Sequence, residues 1–98
     1  PPFCKLLKID FLHIKIAILN QSANFFSNEL KKHIDDEILG PEFGIIDRIN
    51  NYYIKSILIK SKKGSSTKLK ERMRRISQSM KNDKKYRNTK IVIDVDPC

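Results

Sequence analysis

From Cys4 to Leu12 apolar and polar residues alternate, with Leu7, Ile9 and Phe11 on one face and Lys8 and Asp10 on the other, the period-two signature of a half-buried strand. The spacing changes near Lys15. Leu19, Ala23, Phe26, Leu30 and Ile34 then recur at helical intervals, and Lys31, Lys32 and His33 gather where cations suit the negative end of a helix dipole. This predicts a helix over 15–34, with His33 a helix-end cation, since no neighbouring residue completes a metal site.

Leu39-Gly40-Pro41 reads as a turn, because Gly supplies free φ and Pro blocks a continuing helix. Strand-like runs follow at Phe43–Ile49 and Tyr52–Lys60. Between them Asn50-Asn51 tolerates left-handed φ and predicts a tight antiparallel hairpin. Lys62-Lys63-Gly64 closes the third strand. Ser65 or Ser66 can cap a second helix, in which Leu69, Met73, Ile76 and Met80 form one apolar stripe. After a basic connection, Asn82 to Asn88, Ile91–Val95 alternates again, with Ile91, Ile93 and Val95 opposite Asp94 and Asp96. The order β-α-β-β-α-β is the ferredoxin-like, split βαβ plan of the α+β class: a four-stranded antiparallel sheet with both helices on one face.

The 98 residues suffice for one domain and not for two independent cores. With 40% hydrophobic and 32% charged residues the composition is that of a folding chain. The longest apolar run is Ile16 to Leu19, far short of the roughly 20 residues that span a bilayer, so a soluble, non-membrane protein is expected. Cys4 and Cys98 lie at opposite ends and neither has a partner at zinc-ligand spacing. They read as reduced cytoplasmic thiols, although neighbouring first and last strands would permit a disulfide. The opening Pro1-Pro2-Phe3 resembles neither a natural start nor a signal peptide, and predicts a domain cut from a longer protein.

The formal net charge of +9 points to a polyanionic partner, and its distribution points to a surface. Residues 1–54 carry a net −1, residues 55–90 carry +12, and the last eight carry −2. Nucleic acid is therefore the leading partner. Lys68, Arg72 and Arg75 on the second helix, with Lys84, Lys85 and Arg87 in the connection, are the expected phosphate contacts. Tyr52, Tyr53 and Tyr86, interleaved with these cations, are candidates for stacking on bases, or simply for packing.

Catalysis finds no support. Asp94 and Asp96 share one face of the last strand, as Mg²⁺ ligands can, but no third acid or His lies nearby and the pair reads as a solvated strand end. Gly40, Gly44 and Gly64 lack phosphate-loop spacing and no G-K-S/T occurs. No nucleophile-elbow pattern is present.

The opening Pro1-Pro2-Phe3, Leu39-Gly40-Pro41, Arg48, the run Tyr53 to Lys60 and the closing Ile93-Asp94-Val95-Asp96-Pro97 together resemble the C-terminal domain of primosomal protein N′, the PriA replication-restart helicase family. The resemblance spans the whole chain. It implies residence in a cytoplasmic, ATP-dependent, 3′-to-5′ bacterial DNA helicase that acts at stalled forks. The domain would bind branched and single-stranded DNA, contact the helicase lobes of its parent, and help dock the acidic tail of single-stranded DNA-binding protein. On this chain the docking role falls near Lys68, Lys70 and Arg72. ATP, Mg²⁺ and Zn²⁺ would belong to the parent, with no cofactor in this domain. Two other readings stand beside this one: a ribosomal or RNA-binding module of the same topology, and a structural brace for the helicase lobes with no DNA affinity.

Overall fold

The structure, a computed structural model, describes residues 5–61 and 66–97, with backbone alone for 44–49, 66, 96 and 97. Cys4, Cys98 and the expected cap Ser65 lie outside the described residues, as do the side chains of Arg48 and Ser66. The elements are β1 (Lys5–His13), α1 (Ile16–Lys31), β2 (Glu37–Ile49), β3 (Tyr52–Ser61), α2 (Ser66–Lys81) and β4 (Lys90–Pro97). The strands form one sheet in the order β2-β3-β1-β4. Every pairing is antiparallel. This is the ferredoxin-like arrangement that the element order predicts.

The two hydrophobic periods meet in one core. Leu7, Ile9 and Phe11 of β1 and Ile57 and Ile59 of β3 bury the same sheet face. Onto it pack Leu19, Ala23, Phe26 and Leu30 of α1 and Leu69, Met73, Ile76 and Met80 of α2. Phe11 and Phe26 meet edge to face at 5.2 Å, a favoured aromatic geometry. Among the described residues no helix lies on the opposite sheet face.

Three boundaries differ from the sequence reading by more than one residue. First, α1 ends at Lys31, not Ile34. His33 and Ile34 both turn their amides back to Leu30 O, and Ile34 still packs on the core from that turn. Only Lys31 is a basic residue of the helical last turn.

Second, Leu39-Gly40-Pro41 is no turn before a strand; it lies inside β2, which begins at Glu37. Gly40 has φ +95° and its bond to Pro41 is cis. Leu39 pairs with Leu58 and Glu42 with Ser56, so one extra residue bulges out. An edge strand tolerates this, since the missing Pro N–H and the bulge lie where the ladder needs least.

Third, β4 extends over Lys90–Pro97, beyond the alternating stretch. It too is an edge. Its Ile93 and Val95 face the helical side, opposite Ile9 and Leu7, yet each stays 39% exposed because no helix covers that margin. The hairpin agrees with expectation: Asn50 and Asn51 have φ of 50° and 68°, the two left-handed residues of a tight two-residue turn.

Candidate nucleic-acid interface

The buried stripe of α2 fixes where its cations point. Lys68, Arg72 and Arg75 recur at i, i+4 and i+7 along the flank that faces α1. There they line a depression of about 540 Å³ with His33, Ile34 and Glu71. A smaller depression, about 140 Å³, shares His33, Arg72 and Arg75 and adds Phe25, Ile76 and Glu29. Together they make a groove between α2 and the C-terminal half of α1, with apolar side chains in its floor and cations on its rim.

The carboxylates of this groove are already engaged. Glu71 accepts from Arg74 Nη2 at 2.7 Å and from Arg75 Nε at 3.2 Å. These bonds, that from Arg74 foremost, hold its carboxyl below the ordinary range. Glu29 accepts from Lys32 Nζ at 2.7 Å, which lowers its pKa in the same way. Lys68 and Arg72 have no carboxylate partner among the described residues. They are the cations most available to a ligand. Lys70 stands on the other flank of the buried stripe with Arg74 and lines neither depression, so the expected trio Lys68, Lys70 and Arg72 is split.

The six expected phosphate contacts do not form one face either. α2 is 16 residues long, about 24 Å at the usual rise, and Lys84 and Lys85 follow its far end. They line a different depression of about 600 Å³, beside Lys15, Lys90, His13 and Tyr52. Arg87 is exposed and lines none of these depressions. Sequence reading missed Lys15 and His13 at this site because they belong to the near-neutral half of the chain.

The tyrosines divide in the same way. Tyr86 stacks on Phe25 with ring centroids 5.2 Å apart, and Tyr53 packs against the core. Tyr52 lines the depression that holds Lys84 and Lys85. On β4, Asp94 is exposed and sits opposite Lys8 in the ladder; the Asp96 side chain lies outside the described residues. No group of three or more His, Cys, Asp or Glu among the described residues could hold a metal ion. Among the described residues no helix is long and apolar enough to cross a membrane.

The fold and its basic flank define the class first: a ferredoxin-like α+β domain with cations concentrated on its second helix and the following connection. The family is then specific. The model of the primosomal protein N C-terminal domain matches residues 1–98, and the chain belongs to that family. Among the curated proteins no match was found. Solved structures share the fold. The de novo designed protein Foldit4 is 14% identical with TM-score 0.69, over 97% of this chain and 98% of that one. A protein described as an aminohydrolase from methicillin-resistant Staphylococcus aureus is 8% identical with TM-score 0.60, over 97% of this chain but 30% of its own. At such identities the likeness concerns the fold alone.

Proposed function

We propose that this domain is the accessory DNA-binding and partner-docking module of a PriA-like, ATP-dependent 3′-to-5′ DNA helicase, cytoplasmic and active in replication restart at stalled forks. Family membership supports the setting. The observation that carries the reading is the rim of the α1–α2 groove, where Lys68 and Arg72 lack carboxylate partners among the described residues and Arg75 shares one. Phosphates of a single strand or fork would contact this rim and the connection with Lys84, Lys85 and Arg87, chiefly through charge and with little base preference. The apolar floor, with Phe25 and Ile76, suits the second role, since an acidic peptide such as the tail of single-stranded DNA-binding protein can place carboxylates on the rim and an apolar side chain beneath. ATP hydrolysis, with its Mg²⁺, and any Zn²⁺ site would reside elsewhere in the parent.

The sheet face without helices carries Leu39 and Val92, 44% and 47% exposed, and this face would meet the helicase lobes. The test is fluorescence anisotropy on single strands and forks across a salt series. With about four to six of these cations engaged, log K against log[salt] should fall with a slope of roughly −3 to −5. Arg72→Glu with Arg75→Glu should weaken binding uniformly across sequences and flatten that slope, while Lys5→Glu with Lys8→Glu should do little. A flat salt response, or equal loss from the control, would leave only the brace for the helicase lobes.

A further inference from the structure

The depression at the hairpin end of the sheet is a second site with its own chemistry. Three segments that are distant in sequence bring Lys15, Tyr52 and the stretch with Lys84, Lys85 and Lys90 together there. No Asp or Glu lines it among the described residues. Lys90 Nζ lies instead over the Tyr52 ring, 4.6 Å from its centroid, and Lys85 Nζ lies 5.5 Å from the centroid of Tyr86. Ammonium groups held on aromatic faces keep their full charge for a ligand.

The concavity therefore collects four like charges, which repel one another unless an anion joins them. Two further features mark this end of the domain. Lys15 is the N-cap of α1, a position that normally favours Ser, Thr, Asp or Asn, and it makes no side-chain capping bond. His13, only 6% exposed, accepts the Lys15 amide on Nδ1 at 2.8 Å, which leaves Nε2 as the protonated nitrogen of the neutral ring.

The wall beside these cations is apolar. Ile14 is 56% exposed, and Tyr52 contributes a ring. A free phosphate would make no use of either residue, and a duplex keeps its bases stacked inside. An unstacked nucleotide matches both parts, since stacking on aromatic surface and backbone neutralisation are the two elements of single-strand binding.

We propose that this depression takes one nucleotide of a single strand, with its phosphate among Lys15, Lys84 and Lys85 and its base against Ile14 and Tyr52. The inference rests on the nucleic-acid reading above and divides it, placing a nucleotide pocket at the opposite end of α2 from Lys68.

The test uses the 98-residue chain and fluorescein-labelled oligo(dT) of ten nucleotides, with an abasic strand of the same length, across a salt series. The variant Lys15→Asp with Lys90→Gln should lose about tenfold or more in affinity for oligo(dT). Its salt slope should flatten by about 0.7, the one phosphate contact that Lys15 shares. Asp at the N-cap should raise the melting temperature of the Lys15→Asp single variant, so lost binding cannot be ascribed to lost fold. The wild type should prefer oligo(dT) to the abasic strand several-fold, and Ile14→Ala should reduce that preference. If Lys15→Asp with Lys90→Gln binds as the wild type does while Arg72→Glu with Arg75→Glu does not bind, the pocket is refuted and the groove reading stands. Equal affinity for the abasic strand refutes the base contact. A wild type that binds neither strand at low salt overturns both readings.

Discussion

The hydroxyls of Ser22 and Thr89, 67 positions apart in the chain, lie 2.8 Å from each other in the interior. Ser22 is fully buried in the middle of α1 and Thr89 is 8% exposed, immediately before β4. Their hydrogen bond ties the helix to the end of the connection that carries Lys84 and Lys85. Backbone bonds from Tyr86 and Arg87 to Asp83 O, and from Thr89 to Tyr86 O, coil that connection into turns, and Lys85 N is held by Asp83 Oδ1 at 2.8 Å. The basic connection is thus a fixed surface.

Removing one hydroxyl of this pair leaves the other buried without its partner. Ser22→Ala or Thr89→Val should each cost about 1–3 kcal/mol. The double variant should cost less than the sum of the two, because it removes the stranded group as well. Urea unfolding of the four proteins measures the coupling. Strict additivity would mean that the bond contributes nothing.

An acidic peptide with an apolar side chain among its carboxylates should perturb the α1–α2 groove. Titrated into the ¹⁵N-labelled domain, it should shift the resonances of Phe25, His33, Lys68 and Arg72, and leave Lys70 comparatively unmoved because Lys70 sits on the far flank. Binding should be weak if the complete site includes other parts of the parent, since lost buried contact lowers affinity. Shifts that spare Phe25, His33, Lys68 and Arg72 would rule the groove out.

Stability should depend on pH through His13. Burial, with the nearby Lys15 charge adding to it, holds the imidazole pKa below 6.5 in the folded chain. The unfolded chain therefore binds the proton more readily. The stability that depends on neutral His13 is complete above the unfolded value of about 6.5 and is lost as pH falls through the lower folded value. Melting temperatures between pH 7.5 and 5.5 should decline in the wild type and flatten over that interval in His13→Gln. A wild-type melting temperature that rises on acidification would contradict the assignment.

Gly40 should resist substitution. At φ +95° a side chain is strained, and a Cβ built there would lie 2.8 Å from the backbone oxygen of Ser56, which cannot move without disturbing the β2–β3 ladder. Gly40→Ala should cost about 1–3 kcal/mol. A thermal melt within a degree of wild type would show that the bulge can relax. Because the strain is local, helicity by circular dichroism at low temperature should be unchanged.

Local sequence suffices for the element order, the ferredoxin-like fold, the apolar stripes of both helices and the Asn50-Asn51 hairpin, because each follows from a local period or from the φ preference of one or two residues. The same holds for the segregation of charge into residues 55–90, which needs only counting. Tertiary structure decided the rest. Leu39-Gly40-Pro41 has turn chemistry, and only its pairing with β3 turns it into a bulge within a strand. Lys68 and Lys70 look equivalent in the sequence, but the packing of Leu69 and Met73 against the core sends them to opposite flanks. Lys84 and Lys85 read as a continuation of the α2 surface, whereas the length of that helix carries them to the other end of the domain. There the antiparallel sheet brings in Lys15, Tyr52 and Lys90 from three separate segments. Proximity between residues so far apart in the chain is set by strand order and helix length, which local patterns predict only as a topology and not as a surface.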